Sequence, residues 1–227
     1  MKQEKDIVTI DNKTCHIVQR GENGPVVLWG MFPHQGDEIQ HMTDTIKRIC
    51  PKKEFILAAF QAEDWNRDFS PWKAPAAYGE GVFEGEGKVT LAWLEQSFIP
   101  YLKEQFGERP LILAGYSLAG IFALWAGYES ETFDGIICGS GSLWFDKWDE
   151  YVSTHSVKSN CKIYLSLGRK EEKTRNKTMA LVGDRTRAQE EILKADPNVS
   201  DVILEWNNGG HFADSGERLA KGIDWMI

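Results

Sequence analysis

Short apolar runs alternate with amphipathic stretches along most of this chain. Ile7–Ile10, Thr14–Gln19, Val26–Trp29, Phe55–Phe60, Leu111–Gly115, Gly135–Cys138, Lys162–Leu167 and Val202–Trp206 are bounded by Gly, Pro or charge and read as strands. Between the later ones, apolar residues recur at helical spacing. Ile39, Met42, Ile46 and Ile49 form one stripe, and Leu91, Leu94, Phe98 and Leu102 form another, in which Pro100 predicts a kink or break. Asn176 to Leu193 reads as a more polar helix with Met179, Val182 and Ile192 facing inward. A last helix is announced by Asp214 and Glu217, spaced as a capping box ahead of Leu219, Ile223 and Met226.

This alternation predicts an α/β chain, with a mostly parallel sheet of about eight strands covered by helices on both faces. No linker, repeat or low-complexity tract interrupts it, so residues 1–227 are expected to form a single domain. From Leu111 to Tyr128 the chain carries no charge, over a length that approaches a membrane span. The period changes inside that run, however. Leu111-Ile-Leu-Ala is a short apolar strand pattern, whereas Leu118, Ile121, Phe122 and Trp125 follow a helix. A buried strand turning sharply into a helix is therefore expected, and no membrane association. The only long irregular stretch is Gln61–Gly87, and a loop of that length inside a compact domain is usually functional.

Composition narrows the function. With 26 Lys+Arg against 34 Asp+Glu the formal charge is −8, which argues against nucleic acid and anionic membrane surfaces as partners. The four cysteines are scattered without a C-x-x-C, so buried thiols are expected rather than disulfides or a metal site. The N-terminal residues carry both charge signs and lead into no signal-like apolar stretch, which makes a cytoplasmic location the expectation.

The candidate chemistry sits at the strand-to-helix switch. Gly115-Tyr-Ser117-Leu-Ala119-Gly120 has small residues two before and two after the serine, as a nucleophile elbow requires where strand and helix approach closely. A serine hydroxyl needs a base. His211 follows the last predicted strand after Gly209-Gly210, whereas His34, in the loop after the third strand, precedes the serine. The orienting carboxylate is expected after Lys162–Leu167, where Glu171 is the better-placed acid and Glu172 the alternative. Oxyanion donors are expected at the Leu118 amide and in the loop after the third strand, at Met31 or alternatively Phe32, because Pro33 has no N–H.

Gly115-Tyr-Ser117-Leu-Ala-Gly120, Ser140-Gly-Ser142-Leu-Trp144-Phe145, Glu171 and Gly209-Gly-His211-Phe212 together resemble the Putative esterase family. This is the esterase-D-like and enterochelin-esterase-like branch of the α/β-hydrolases. Asn66-Arg67-Asp68-Phe-Ser70-Pro71 also resembles the Arg-Asp-x-Thr-Pro stretch of the enterochelin-esterase branch. One departure is Ala119, where a second Gly is usual. The resemblance runs from about Val26 onward and implies an α/β-hydrolase fold. It also implies serine-dependent hydrolysis of a small-molecule ester, without metal or organic cofactor. A serine peptidase, thioesterase or acyltransferase would use the same three side chains, and a non-catalytic binding protein would share the fold.

Many α/β-hydrolases carry a lid between their sixth and seventh strands, but Phe145–Cys161 is too short for a large cap domain. An open cleft is expected instead, walled by the Gln61–Gly87 and Ser140–Trp148 loops. Trp65, Trp72, Trp144 and Trp148 are its candidate wall residues, with ordinary packing as the competing use. Arg67 is a candidate contact for an anionic substrate group, weighed against an ion pair with Asp64 or Asp68.

Overall fold

The computed structural model describes residues 3–32, 36–77, 81–158 and 160–227. Its strands are β1 (Gln3–Ile10), β2 (Lys13–Arg20), β3 (Val26–Met31), β4 (Phe55–Gln61), β5 (Ala74–Pro75), β6 (Val82–Phe83), β7 (Leu111–Tyr116), β8 (Gly135–Gly139), β9 (Cys161–Gly168) and β10 (Val199–Asn207). Every strand expected from the apolar pattern is present. Eight of them make one sheet in the order β1-β2-β4-β3-β7-β8-β9-β10, in which β2 runs antiparallel to both β1 and β4 and the other neighbours pair in parallel. The short β5 and β6 pair separately.

The helices are α1 (Gly36–Ile49), α2 (Trp65–Asp68), α3 (Gly87–Trp93), α4 (Ile99–Phe106), α5 (Leu118–Glu129), α6 (Trp148–Val152), α7 (Val182–Ala195) and α8 (Ser215–Met226). Strand alternation sorts the sheet side chains between two cores. Val26, Leu28, Leu113, Ile136 and Ile163 face a core closed by α3, α4, α5 and α7. Val27, Trp29, Ile112, Ile137 and Tyr164 face the opposite core, closed by α1 and α8. Helix α5 is buried from Leu118 to Tyr128, so it lies inside the domain, apolar all round. Full burial of each large apolar side chain there contributes about 1.5–3 kcal/mol. That explains the long uncharged run. Among the described residues no helix is long and apolar enough to cross a membrane.

Three local expectations change. The predicted break at Pro100 is a π-helical turn over Leu94–Phe98 that joins α3 to α4, so the stripe continues through it. Proline has no N–H for the preceding turn and its ring crowds the carbonyl there, which widens the helix rather than ending it. The polar helix starts later than its pattern suggests: Met179–Leu181 is a 3₁₀ turn, and the buried face of α7 is Val182, Thr186, Gln189 and Leu193, with Ile192 only half-buried. The capping box at Asp214 is not formed. Asp214 is left-handed (φ 54°) and its side chain caps nothing, while Glu217 pairs with Arg48 at 2.9 Å. Among the described residues between β8 and β9 the only helix is the five-residue α6, too short for a cap domain. Cys15, Cys50, Cys138 and Cys161 are all buried.

Candidate active site

In an open parallel sheet, crevices form at the carboxyl ends of strands where the chain leaves in opposite directions. Here that place lies between β3 and β7, since β3 is flanked by β4 on one side and β7 on the other. Ser117 stands at the end of β7 with φ 58° and ψ −119°, a left-side backbone that a non-glycine residue adopts only under constraint. The constraint is packing. A Cβ on Gly115 would lie 2.0 Å from the Ala119 carbonyl oxygen, and one on Gly120 would lie 3.0 Å from that of Gly139. Strand and helix therefore close onto each other only with the residues present, and the turn between them lifts the serine out of the sheet. The N–H of Ser117 donates to the Gly139 carbonyl at 2.9 Å, and its own carbonyl accepts from Ser142 N–H at 3.0 Å.

His211 and Glu171 meet this serine from far along the chain. His211 Nε2 lies 3.0 Å from Ser117 Oγ, and its Nδ1 lies 2.7 Å from Glu171 Oε2. Glu172, the alternative acid, points the other way and pairs with Arg187 at 2.8 Å on the surface. The other oxygen of Glu171 is also fully engaged. Its Oε1 accepts from Gly168 N–H at 2.7 Å, from Ser140 Oγ at 2.8 Å and from Arg218 Nη1 at 2.7 Å. Burial pushes the Glu171 carboxyl up, but the hydrogen bond and charge of His211, the Gly168 N–H and the Ser140 hydroxyl outweigh it. The group ends below the ordinary value of 4.5. It is a carboxylate at neutral pH, oriented to accept a hydrogen bond from His211 Nδ1–H.

The two proposed sources of the second oxyanion donor are separated by the phase of β3. The Pro25 carbonyl accepts from Ile56 N–H at 2.9 Å and the Met31 carbonyl from Ala62 N–H at 3.3 Å, so odd residues bond toward β4. Val26 N–H bonds to the Pro110 carbonyl at 2.9 Å, so even residues bond toward β7. The Met31 amide therefore turns away from the serine, contrary to the first expectation. Phe32 is the next residue on the β7 side. His34 and Pro33 lie outside the described residues.

A cleft of about 930 Å³ opens above the serine. Trp65 and Trp144 line it, as expected of wall residues. Trp65 is fixed in place by its neighbours: its ring lies 4.5 Å from Phe32 and 5.0 Å from Phe69, and α2 is capped by Asp64, which accepts from Asn66 and Arg67 N–H at 3.0 Å each. Trp72 and Trp148 do not line the cleft. Trp148 is 1% exposed and donates to Gln189 at 2.9 Å, and Trp72 stacks on it at 6.2 Å while donating to the Asp146 carbonyl. They are packing residues. Arg67 also stays outside, held by Asp68 at 2.8 Å, Glu63 at 3.2 Å and Glu86 at 3.4 Å. Those three carboxylates leave it no reason to contact a substrate anion. Glu38, Glu63 and Asp64 are the acids of the lining, and among the described residues no Lys or Arg lines it. Phe212, beside His211, is 93% exposed at the cleft mouth.

Residues that sequence reasoning missed are Tyr116, Ser140 and Arg218, which surround Glu171 and the His211 loop. Arg218 left one trace: it stands one residue before Leu219 and four before Gly222, on the buried side of α8, where a cation is out of place. No group of His, Cys, Asp and Glu among the described residues is arranged to hold a metal ion.

The sequence profile of the family described as Putative esterase matches residues 19–205, most of the chain but short of His211. Comparison with curated proteins found no match. In three dimensions the chain is similar to an IroE-like serine hydrolase from Shewanella oneidensis, with a TM-score of 0.78 and 16% identity over 98% of this chain and 79% of that one. It is also similar to the siderophore hydrolase EstA from Aspergillus nidulans, with a TM-score of 0.76 and 14% identity over 98% of this chain and 93% of that one. The enterobactin esterase FES from Shigella flexneri matches with a TM-score of 0.71 and 16% identity, over 100% of this chain and 59% of that one. At such identities the likeness is one of fold, and the extent of the profile match carries the family assignment. The chain belongs to the Putative esterase family and is a serine ester hydrolase of α/β-hydrolase fold.

Proposed function

We propose that Ser117, His211 and Glu171 are the catalytic triad of this esterase and that hydrolysis proceeds through an acyl-enzyme. The observation that carries this reading is the unbroken hydrogen-bond chain from Ser117 Oγ through His211 to Glu171, at 3.0 and 2.7 Å, opening into the cleft. Ser117 Oγ attacks the acyl carbon while His211 Nε2 takes its proton. Glu171 holds the imidazole with Nε2 toward the serine and stabilises the imidazolium that forms. The same proton then passes to the leaving alcohol, and water activated by His211 releases the acid from Ser117. The Leu118 amide, at the start of α5 where N–H groups lack intrahelical partners, and the Phe32 amide receive the oxyanion.

The described wall is aromatic and acidic, which favours esters without negative charge near the reacting carbon. Siderophore esters, in the names of the structural neighbours, fall within reach of this chemistry when the bound form is uncharged. Four buried cysteine thiols are compatible with a reducing, cytoplasmic location, and one catalytic domain spans residues 1–227. Ser117→Ala is expected to lower p-nitrophenyl ester turnover by about 10⁶-fold and to abolish fluorophosphonate labelling. Turnover surviving that change would overturn the assignment. Aminoacyl arylamides assayed beside the esters separate peptidase from esterase action.

A further inference from the structure

We propose that Arg218 is the positioning residue that ties the acid and the base of this site into one frame. The proposal rests on the triad reading above. Arg218 is 1% exposed, a cation placed inside the core side of α8. Its Nη1 donates to Glu171 Oε1 at 2.7 Å, to Ser140 Oγ at 2.7 Å and to Tyr116 OH at 3.0 Å. Its Nη2 donates to the carbonyls of Gly210 at 2.9 Å and Asn208 at 3.2 Å. One planar guanidinium thus contacts the ends of β7, β8 and β9 and the loop that carries His211. Tyr116 closes the circuit, because its hydroxyl donates to the His211 carbonyl at 2.5 Å.

Burying a guanidinium and a carboxylate is costly even when they pair, and Arg218 Nε is buried without a hydrogen-bond partner among the described residues. A fold selected for stability alone would do as well with apolar residues here. What the pair supplies is direction. With three donors on Oε1, the carboxylate cannot rotate, and Oε2 is left for the imidazole alone. The two carbonyl bonds fix the loop from the other side, so the separation of Glu171 and His211 is set by a rigid fork rather than by two surface loops. Lysine, a single-point donor on a flexible stem, cannot reach both. The titratable groups facing the guanidinium are Glu171, His211 and Tyr116, with Tyr164 beyond. Burial pushes the Tyr116 phenol up to about 12, against the Ser140 and Arg218 contacts, and pushes Tyr164 higher. Neither phenol titrates near neutral pH.

The test compares Arg218→Gln and Arg218→Lys with the parent enzyme. Turnover is expressed per fluorophosphonate-labelled site, and pH profiles of kcat/KM and melting temperatures are recorded alongside. Arg218→Gln is expected to lower kcat by about 10²-fold with KM nearly unchanged, as for a misplaced catalytic group. Its acid limb should move to higher pH, because the carboxylate, no longer compensated, stabilises the imidazolium. Arg218→Lys keeps the charge and is expected to hold the acid limb in place while kcat still falls. Tyr116→Phe and Ser140→Ala each remove one hydroxyl of the frame, and about a threefold to tenfold loss of kcat is expected from each. A folded Arg218→Gln enzyme with parental kcat and acid limb overturns the proposal, even where its melting temperature falls. Should that variant not fold, unchanged kcat and acid limb in both hydroxyl variants overturn it equally. An active Ser117→Ala would instead defeat the triad reading, whatever the Arg218 variants do.

Discussion

The two halves of the site are built by different means. The Ser117 half, from β7 into α5, is held by backbone contact: Gly115 against Ala119, Gly120 against Gly139, and a strained Ser117 between them. The Glu171–His211 half, from β9 to α8, is held by side chains. Glu171, Ser140, Tyr116 and Arg218 interlock, and the His211 loop hangs from their carbonyl bonds. The first half is rigid because no other residue fits. The second is rigid because three donors hold one oxygen of a carboxylate and an imidazole holds the other. A backbone device fails by steric overlap and costs stability, whereas a side-chain network fails by loss of direction and costs rate.

That contrast can be broken at several points. Glu171→Gln should lower kcat by about 10⁴-fold, as an orienting carboxylate does in a serine hydrolase, while Glu172→Gln should leave kinetics unaltered. Equal losses from the two would remove the distinction between the network and the surface beside it. On the backbone side, Gly115→Val should cost about 3 kcal/mol or more of stability, read from denaturant midpoints. A stable variant would mean that the strand–helix approach tolerates a side chain. Trp148→Ala should cost about 3–5 kcal/mol with KM unchanged, because its ring packs beneath the cleft rather than in it. Trp65→Ala should raise KM with a smaller loss of stability.

Acid titration gives the smallest effect. Glu171 has a folded pKa below 4.5, so its stabilisation is complete above that pH and is lost as pH falls through the folded value. The difference in melting temperature between the parent and Glu171→Gln should therefore be constant above about 4.5 and shrink below it.

The same contrast explains what could be read from the sequence. Apolar period and glycine spacing are local, and they placed all eight sheet strands, the α5 stripe and the serine between Gly115 and Ala119. Glu171 and His211 were legible because they follow strands whose ends converge. The network was not. Arg218 meets Glu171 across 47 positions, and no short pattern encodes a contact at that distance. Trp72 and Trp148 were misplaced for a related reason: a tryptophan on a loop near the site has two surfaces to choose between, and the choice depended on a Gln189 partner from α7. The direction in which Met31 bonds was not legible, because it alternates along β3 with a phase visible only once the neighbouring strands are assigned.

Helix α8 has a consequence for the order in which this enzyme comes into being. The Ser117 turn is held by β7, α5, β8 and the Ser142 amide, all within residues 111–142. The frame around Glu171 and His211 waits for residue 218, and Leu219, Ala220 and Ile223 on the same helix close the second core against α1. During synthesis the residues of the Ser117 turn therefore emerge well before the one that fixes the His211 loop. The hydrogen-bonded frame arrives last, so a chain that ends before α8 carries the Ser117 turn without the residue that ties Glu171 to the His211 loop.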